Sequence, residues 1–155
     1  MFETISLGSL AESLKLHQEG ECHLISLVGG GGKTTLLHAR GNQLLGRTVL
    51  TTTTKMGSDQ SNGLRTLIKP DADEIRSIQH QETVMIWEKI AGQKAIGLEM
   101  QICDQWFSHV DHMVVEADGS RRKPFKAPAD YEPVIPSKTT MMISVTVSYT
   151  HLTLP

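Results

Sequence analysis

Apolar residues along this chain gather in short, nearly unbroken runs separated by polar stretches. "CHLISLV" (22–28), "TVMIW" (83–87), "HMVVEADG" (112–119) and "TTMMISV" (139–145) each carry the apolar content of a short buried strand. "RTVLTTTTKM" (47–56) is rich in β-branched residues and reads as a strand with a polar carboxyl-terminal end. Helical spacing appears elsewhere. In "GSLAESLKLHQ" (8–18) Leu10, Ala11, Leu14 and Leu16 fall close to it, and Ser9 is placed to cap. "KTTLLHARGNQLL" (33–45) brings together Leu36, Leu37, Ala39, Leu44 and Leu45, with Gly41 as its weak point. "LEMQICDQWFSHV" (98–110) predicts a helix packing Met100, Ile102, Cys103, Trp106 and Phe107. "GQKAIGL" (92–98) reads as the hairpin return of 83–87. Residues 57–81 are polar and give no clear element, and "RRKPFKAPADYEPVIP" (121–136) is an irregular segment with four prolines.

The order strand, glycine loop, helix, strand over residues 22–56 is a βαβ unit. It predicts an α/β fold with a mostly parallel sheet flanked by helices. At 155 residues the chain has room for one domain, taken as residues 1–146. "VSYTHLTLP" (147–155) is unlike the rest and reads as a non-native tail, with the domain cut short at its carboxyl end.

Composition narrows the function classes. Hydrophobic residues make up 39% and charged residues 21%, the proportions of an ordinary globular domain. A formal net charge of −2 gives no global basic field for nucleic acid, so any anion site must be local. Two cysteines, Cys22 and Cys103, form no C-x-x-C pair, which points to a reducing cytoplasm rather than a disulfide framework. The amino terminus carries Glu3, Glu12 and Glu19 and has no signal-peptide pattern, and no apolar run suits a membrane span.

The candidate chemistry starts at "LVGGGGKTTLL" (27–37). Glycines between a strand and a helix let successive N–H groups turn inward, and the helix start adds partial positive charge. A lysine there reaches the terminal phosphates of a nucleotide, and the following hydroxyl meets magnesium. Gly29, Gly30, Gly31, Gly32, Lys33, Thr34 and Thr35 supply such a loop. The match to the strict motif is imperfect. Leu27 stands where a glycine is wanted, and Val28 where a variant form has a second lysine. The bland alternative is a glycine turn with an incidental lysine. The flanking strand and helix patterns argue against it.

Phosphoryl chemistry also needs a carboxylate on a neighbouring strand. Glu116 and Asp118, two apart in "VVEADG", would face the same way at a strand's end, and Gly119 would allow close approach to a phosphate. Two solvated acids are the alternative. Thr53, Thr54 and Lys55 end the threonine-rich strand, where parallel sheets place ligands. They read equally well as ordinary strand residues. Arg121, Arg122, Lys123 and Lys126 follow the carboxylates and would grip an anionic substrate or partner; a solvated loop is the other reading. Without interleaved aromatics this run does not suit nucleic acid. His109, Asp111 and His112 have metal-ligand chemistry, but their position entering a strand favours a polar turn.

Taken together, "VGGGGKTTLL", "TTTTKM" and "VVEADGSRRKPFKAPADYEPVIP" resemble the YqeC family over about residues 22–146. The resemblance implies a P-loop NTPase-like domain and a role as an accessory protein of selenium-dependent molybdenum hydroxylases. It carries the phosphate loop onto Gly29–Thr34, the threonine-rich strand end onto Thr51–Lys55, and the acidic and basic motif onto Glu116, Asp118, Gly119, Arg121, Lys123 and Lys126. Members run longer beyond Val134–Pro136.

Three readings follow. In the first, hydrolysis of ATP or GTP with Mg2+ drives maturation of a molybdenum hydroxylase or delivery of its cofactor. Lys33 neutralises phosphate charge, Thr34 and Asp118 hold magnesium, and Glu116 positions water. In the second, the protein is an ATP-dependent ligase or kinase, since the glycine loop and "TTTTK" are also similar to Mur-type ligases. In the third it is a nucleotide-sensing module without turnover.

Overall fold

In a computed structural model the chain is described over residues 20–119 and 132–146, with Ser9 and Glu12. The helix expected over 8–18, the basic residues Arg121, Arg122, Lys123 and Lys126, and the tail 147–155 lie outside the described residues.

Six strands form one parallel sheet: β1 (His23–Gly29), β2 (Thr48–Thr52), β4 (Arg65–Ile68), β5 (Thr83–Trp87), β8 (His112–Glu116) and β9 (Met141–Val145). Their order is β4-β5-β2-β8-β1-β9, so β8 lies between β1 and β2. Every apolar run picked out as a strand in the sequence is in this sheet. The runs lack alternation because the inner strands are buried on both faces. Period-two geometry then deals their side chains to two cores. Ile25, Leu27, Leu50, Met85, Trp87 and Val114 pack with Leu36 and Leu37 of helix α1 (Lys33–Gly41) on one side. Leu24, Val49, Val84, Ile86, Met113 and Val115 pack on the other side with Ile75 of α2 (Ala72–Arg76) and with Cys103 and Trp106 of α3 (Met100–Trp106). The α/β class and mostly parallel sheet are as expected.

Several details differ from the sequence reading. Met100 is exposed at the start of α3, which is seven residues long and continues as a 3-10 turn over Phe107–His109. "RTVLTTTTKM" is two strands, since β2 stops at Thr52 and β3 (Lys55–Gly57) belongs elsewhere. β3 joins β6 (Lys89–Ala91) and β7 (Lys94–Ile96) in a small antiparallel sheet ordered β3-β7-β6. The "GQKAIGL" segment therefore hairpins with β6 and not with 83–87. Gly97 permits this, because a Cβ there would run into the backbone carbonyl of Thr52. The unassigned stretch 57–81 contains β4, α2 and a 3-10 turn at Ser58–Ser61.

Candidate functional site

All six long strands point the same way, so their carboxyl ends gather at one edge, and Gly29 opens a loop there. Gly29 (φ +100°) and Gly32 (φ +92°) adopt left-handed backbone that other residues rarely tolerate. Gly29 also has no room for a side chain: a Cβ would strike the Val145 carbonyl of the neighbouring strand. That carbonyl accepts the Gly30 N–H at 2.7 Å, so β9 braces the loop from the side. Gly32 caps α1 without any side-chain hydrogen bond. Among the described residues the N–H groups of Gly31, Gly32, Lys33, Thr34 and Thr35 have no acceptor. They present the positive end of a nine-residue helix.

Lys33 is 1% exposed. Its Nζ donates to the carbonyls of Gly29 (2.7 Å) and Gly30 (2.9 Å) and forms an ion pair with Asp118 Oδ1 (2.8 Å). Asp118 Oδ2 accepts the Gly29 N–H at 2.8 Å. Thr34 Oγ1 donates to Glu116 Oε2 at 2.8 Å. Burial pushes the Glu116 carboxyl above its ordinary value; the Thr34 hydrogen bond and the Lys33 charge oppose that rise, and the Asp118 charge adds to it. One ammonium thus serves two buried carboxylates, each of which grips a different part of the loop.

The sequence expectation paired Thr34 with Asp118. The contacts instead join Thr34 to Glu116 and Lys33 to Asp118. β8 ends at Glu116, and Asp118 lies at a bend just beyond it, so both acids reach the glycine loop at different points.

Around this centre the threonines act as struts. Thr52 Oγ1 donates to the Glu116 carbonyl (2.8 Å) and accepts the Thr54 N–H (3.1 Å), while the Thr54 hydroxyl lies 3.2 Å from it. Thr53 donates its N–H to the Glu116 carbonyl (3.1 Å) and its hydroxyl to Val134 (2.7 Å). Lys55 is exposed and makes no ion pair or hydrogen bond among the described residues. Gly119 lies just beyond Asp118, where a Cβ would come within 3.6 Å of Glu132. Two contributors escaped the sequence reading. The Val145 carbonyl acts through backbone, which residue identity does not reveal. Thr52 lay inside the Thr51–Lys55 strand end without a role of its own.

His109, Asp111 and His112 do not converge. Asp111 accepts the Arg47 N–H at 2.7 Å, and buried His112 bonds the Leu45 carbonyl and stacks on His23. Among the described residues no three histidine, cysteine or acidic side chains come together to hold a metal. Nor, among those residues, is any helix long and apolar enough to cross a membrane.

Comparison with known proteins adds the family. The model described as "YqeC protein" matches residues 25–151. The "Uncharacterized protein YqeC" of Escherichia coli (strain K12) is 34% identical over 139 residues, covering 82% of this chain and 52% of the relative. The chain thus spans about half the length of that curated relative. No solved structure matches. The chain belongs to the YqeC family.

Proposed function

We infer that this member of the YqeC family binds a magnesium–nucleoside triphosphate in a P-loop NTPase-like domain and hydrolyses it. The observation that carries the reading is the convergence of open N–H groups, Lys33, Thr34, Glu116 and Asp118 around one glycine loop. The phosphates would lie against the N–H groups of residues 31–35, where the helix dipole favours negative charge. Lys33 would exchange its carbonyl partners for β- and γ-phosphate oxygens.

The residues present fit magnesium. Thr34 and Glu116 offer hard oxygens side by side, and burial makes Glu116 reluctant to ionise without a nearby cation. Two protein ligands suffice for an ion that takes its other ligands from phosphates and water. Magnesium would supply charge neutralisation of the transferring phosphoryl group. Asp118, held by Gly29 and Lys33, would keep the loop open at its base and orient the ammonium. In this arrangement Glu116 takes the metal role first expected of Asp118.

The resemblance of "VVEADGSRRKPFKAPADYEPVIP" to the family supports reading the reaction as a step in the maturation of a selenium-dependent molybdenum hydroxylase. Arg121, Arg122, Lys123 and Lys126 would then meet the client or its anionic cofactor, in the cytoplasm.

Isothermal titration with Mg-ATP and Mg-GTP, run separately, tests the reading. Wild-type protein binds at least one of them, and Lys33→Ala loses at least about tenfold in affinity, the scale of one charged hydrogen bond. Equal affinity in the variant defeats the phosphate-loop assignment. Because ionised Glu116 is favoured beside a cation, Mg-nucleotide binding should release protons wherever the pH lies below the raised value of free Glu116, seen as a buffer-dependent heat. Glu116→Gln should abolish that dependence.

A further inference from the structure

We propose that the outward face of the small antiparallel sheet, carrying Lys55, Lys89 and Lys94, docks an acidic segment of a partner protein. This goes beyond the nucleotide reading and does not depend on it.

The register puts the three lysines together. Lys55 and Lys89 both pair with Ile96, and Lys94 pairs with Gly57 and Ala91. Paired residues share a face, and so do residues two apart, so Lys94 projects on the same side as Ile96. The opposite face carries Met56 and Ala95, buried in the core cluster with Trp87, and Ile90, exposed at the edge strand, so the lysine face points away from the core. All three lysines are exposed. Lys55 and Lys89 flank a central strand and stand about 10 Å apart, two inter-strand spacings.

Their lack of partners is selective. Among the described residues Lys33, Arg47, Arg65, Lys69 and Arg76 each pair with a carboxylate. Lys55, Lys89 and Lys94 do not, and the strands of the small sheet contain no acidic residue. The nearest acids are Asp59, beyond β3, and Glu88, already paired with Lys69. Acidic residues outnumber lysine and arginine 17 to 15 in the whole chain, so a face with only positive charge is a local departure. Lysines on edge strands also discourage sheet-to-sheet aggregation. That explains Lys55 and Lys89 on β3 and β6, but not Lys94 on the central strand.

The face suits a protein segment better than nucleic acid. Half-buried Ile96 lies among the ammoniums, and no aromatic in these strands is available for base stacking. Acidic side chains around an apolar one would complement it. The sheet is also tied to the candidate nucleotide site. Leu98 N–H donates to the Thr52 carbonyl and Gly97 N–H to that of Thr54, both at 2.9 Å, and Thr52 holds the Glu116 carbonyl.

Fluorescence anisotropy on the full chain tests the proposal with a labelled glutamate- and leucine-rich peptide at low salt. Lys55→Glu/Lys89→Glu/Lys94→Glu should weaken binding by at least about tenfold, and Lys69→Glu/Arg76→Glu by no more than about twofold. The neutral variant Lys94→Gln, least disruptive to folding, should weaken it measurably by itself, and added salt should lower the wild-type affinity. Equal binding by wild type, the triple variant and Lys94→Gln overturns the proposal. So does tighter binding of a single-stranded oligonucleotide of equal charge. Lys33→Ala should keep full peptide binding and Lys89→Glu/Lys94→Glu full Mg-nucleotide binding, so the two readings fail separately.

Discussion

The two ends of the central sheet each hold an ion pair across the chain beside a glycine, yet they do different things. At the carboxyl end Lys33 and Asp118 are 1% and 7% exposed and close on Gly29. At the amino end Arg47 and Asp111 are 35% and 32% exposed and lie beside Gly46. The first pair gives up hydration for an ion pair and close contacts to the loop, so losing either partner strands a buried charge. The second is solvated, and water replaces whatever is removed. Burial, more than charge type, separates a pair whose loss strands a charge from one that only ties a turn.

The largest expected effect is on stability. In urea unfolding, Lys33→Ala or Asp118→Ala should each cost about 3–5 kcal/mol, with strong non-additivity in the double variant. If the Lys33–Asp118 cycle shows coupling no greater than that of Arg47–Asp111, the contrast drawn from burial fails. Next come the glycines. Gly29→Ala forces left-handed backbone and a collision with Val145, so it should cost more than about 1–3 kcal/mol and abolish nucleotide binding. Gly46→Ala (φ +119°) is also strained, but should leave binding intact once folded.

Acidity gives the two ends opposite signs. Burial raises the Glu116 value, so the folded state holds that proton to higher pH than the unfolded chain does. Stability should fall as pH rises from the ordinary glutamate range through the folded value, and Glu116→Gln should flatten that fall. For Asp111 burial is outweighed by the hydrogen bonds from Arg47, and its value is lowered. Its contribution is present above the ordinary aspartate range and is lost as pH falls through the folded value; Asp111→Asn should remove that acid limb. Both are read from unfolding curves across pH. The smallest effect is Arg47→Ala, about 1 kcal/mol or less and shrinking with added salt.

Much of this was legible in the sequence. β1, β5 and β8 stand out as apolar runs, because strands buried on both faces must be apolar throughout, and the edge strand β9 stands out by its apolar content although its residues alternate between half-buried and exposed. The glycines, Lys33, Thr34, Glu116 and Asp118 stand out by residue type, and the structure brings them together around one loop. Less visible were elements too short for periodicity. α2 buries one residue, Ile75, and is started by a capping box in which Asp71 accepts the N–H groups of Asp73 and Glu74 while Glu74 reaches back to Asp71. β3 and β7 are three residues each, and their pairing is set by the close approach of Gly97 to Thr52. Which carboxylate met which loop residue depended on where β8 ended, a boundary that spacing does not fix.

Asp104 on α3 accepts from Ser137 and Lys138 and so fixes the chain just before β9. From there Thr139 meets Ser26 at a separation of 113 residues, Thr140 meets Leu24 at 116, and Val145 meets Gly30. The glycine loop is therefore among the first described segments to be synthesised and among the last to gain its lateral support. Contacts of such long range form slowly, since the intervening chain must close before they contribute. A nascent chain halted before residue 139 would hold the whole loop sequence without its outer wall, so the loop is braced only once residues more than a hundred positions downstream have been made.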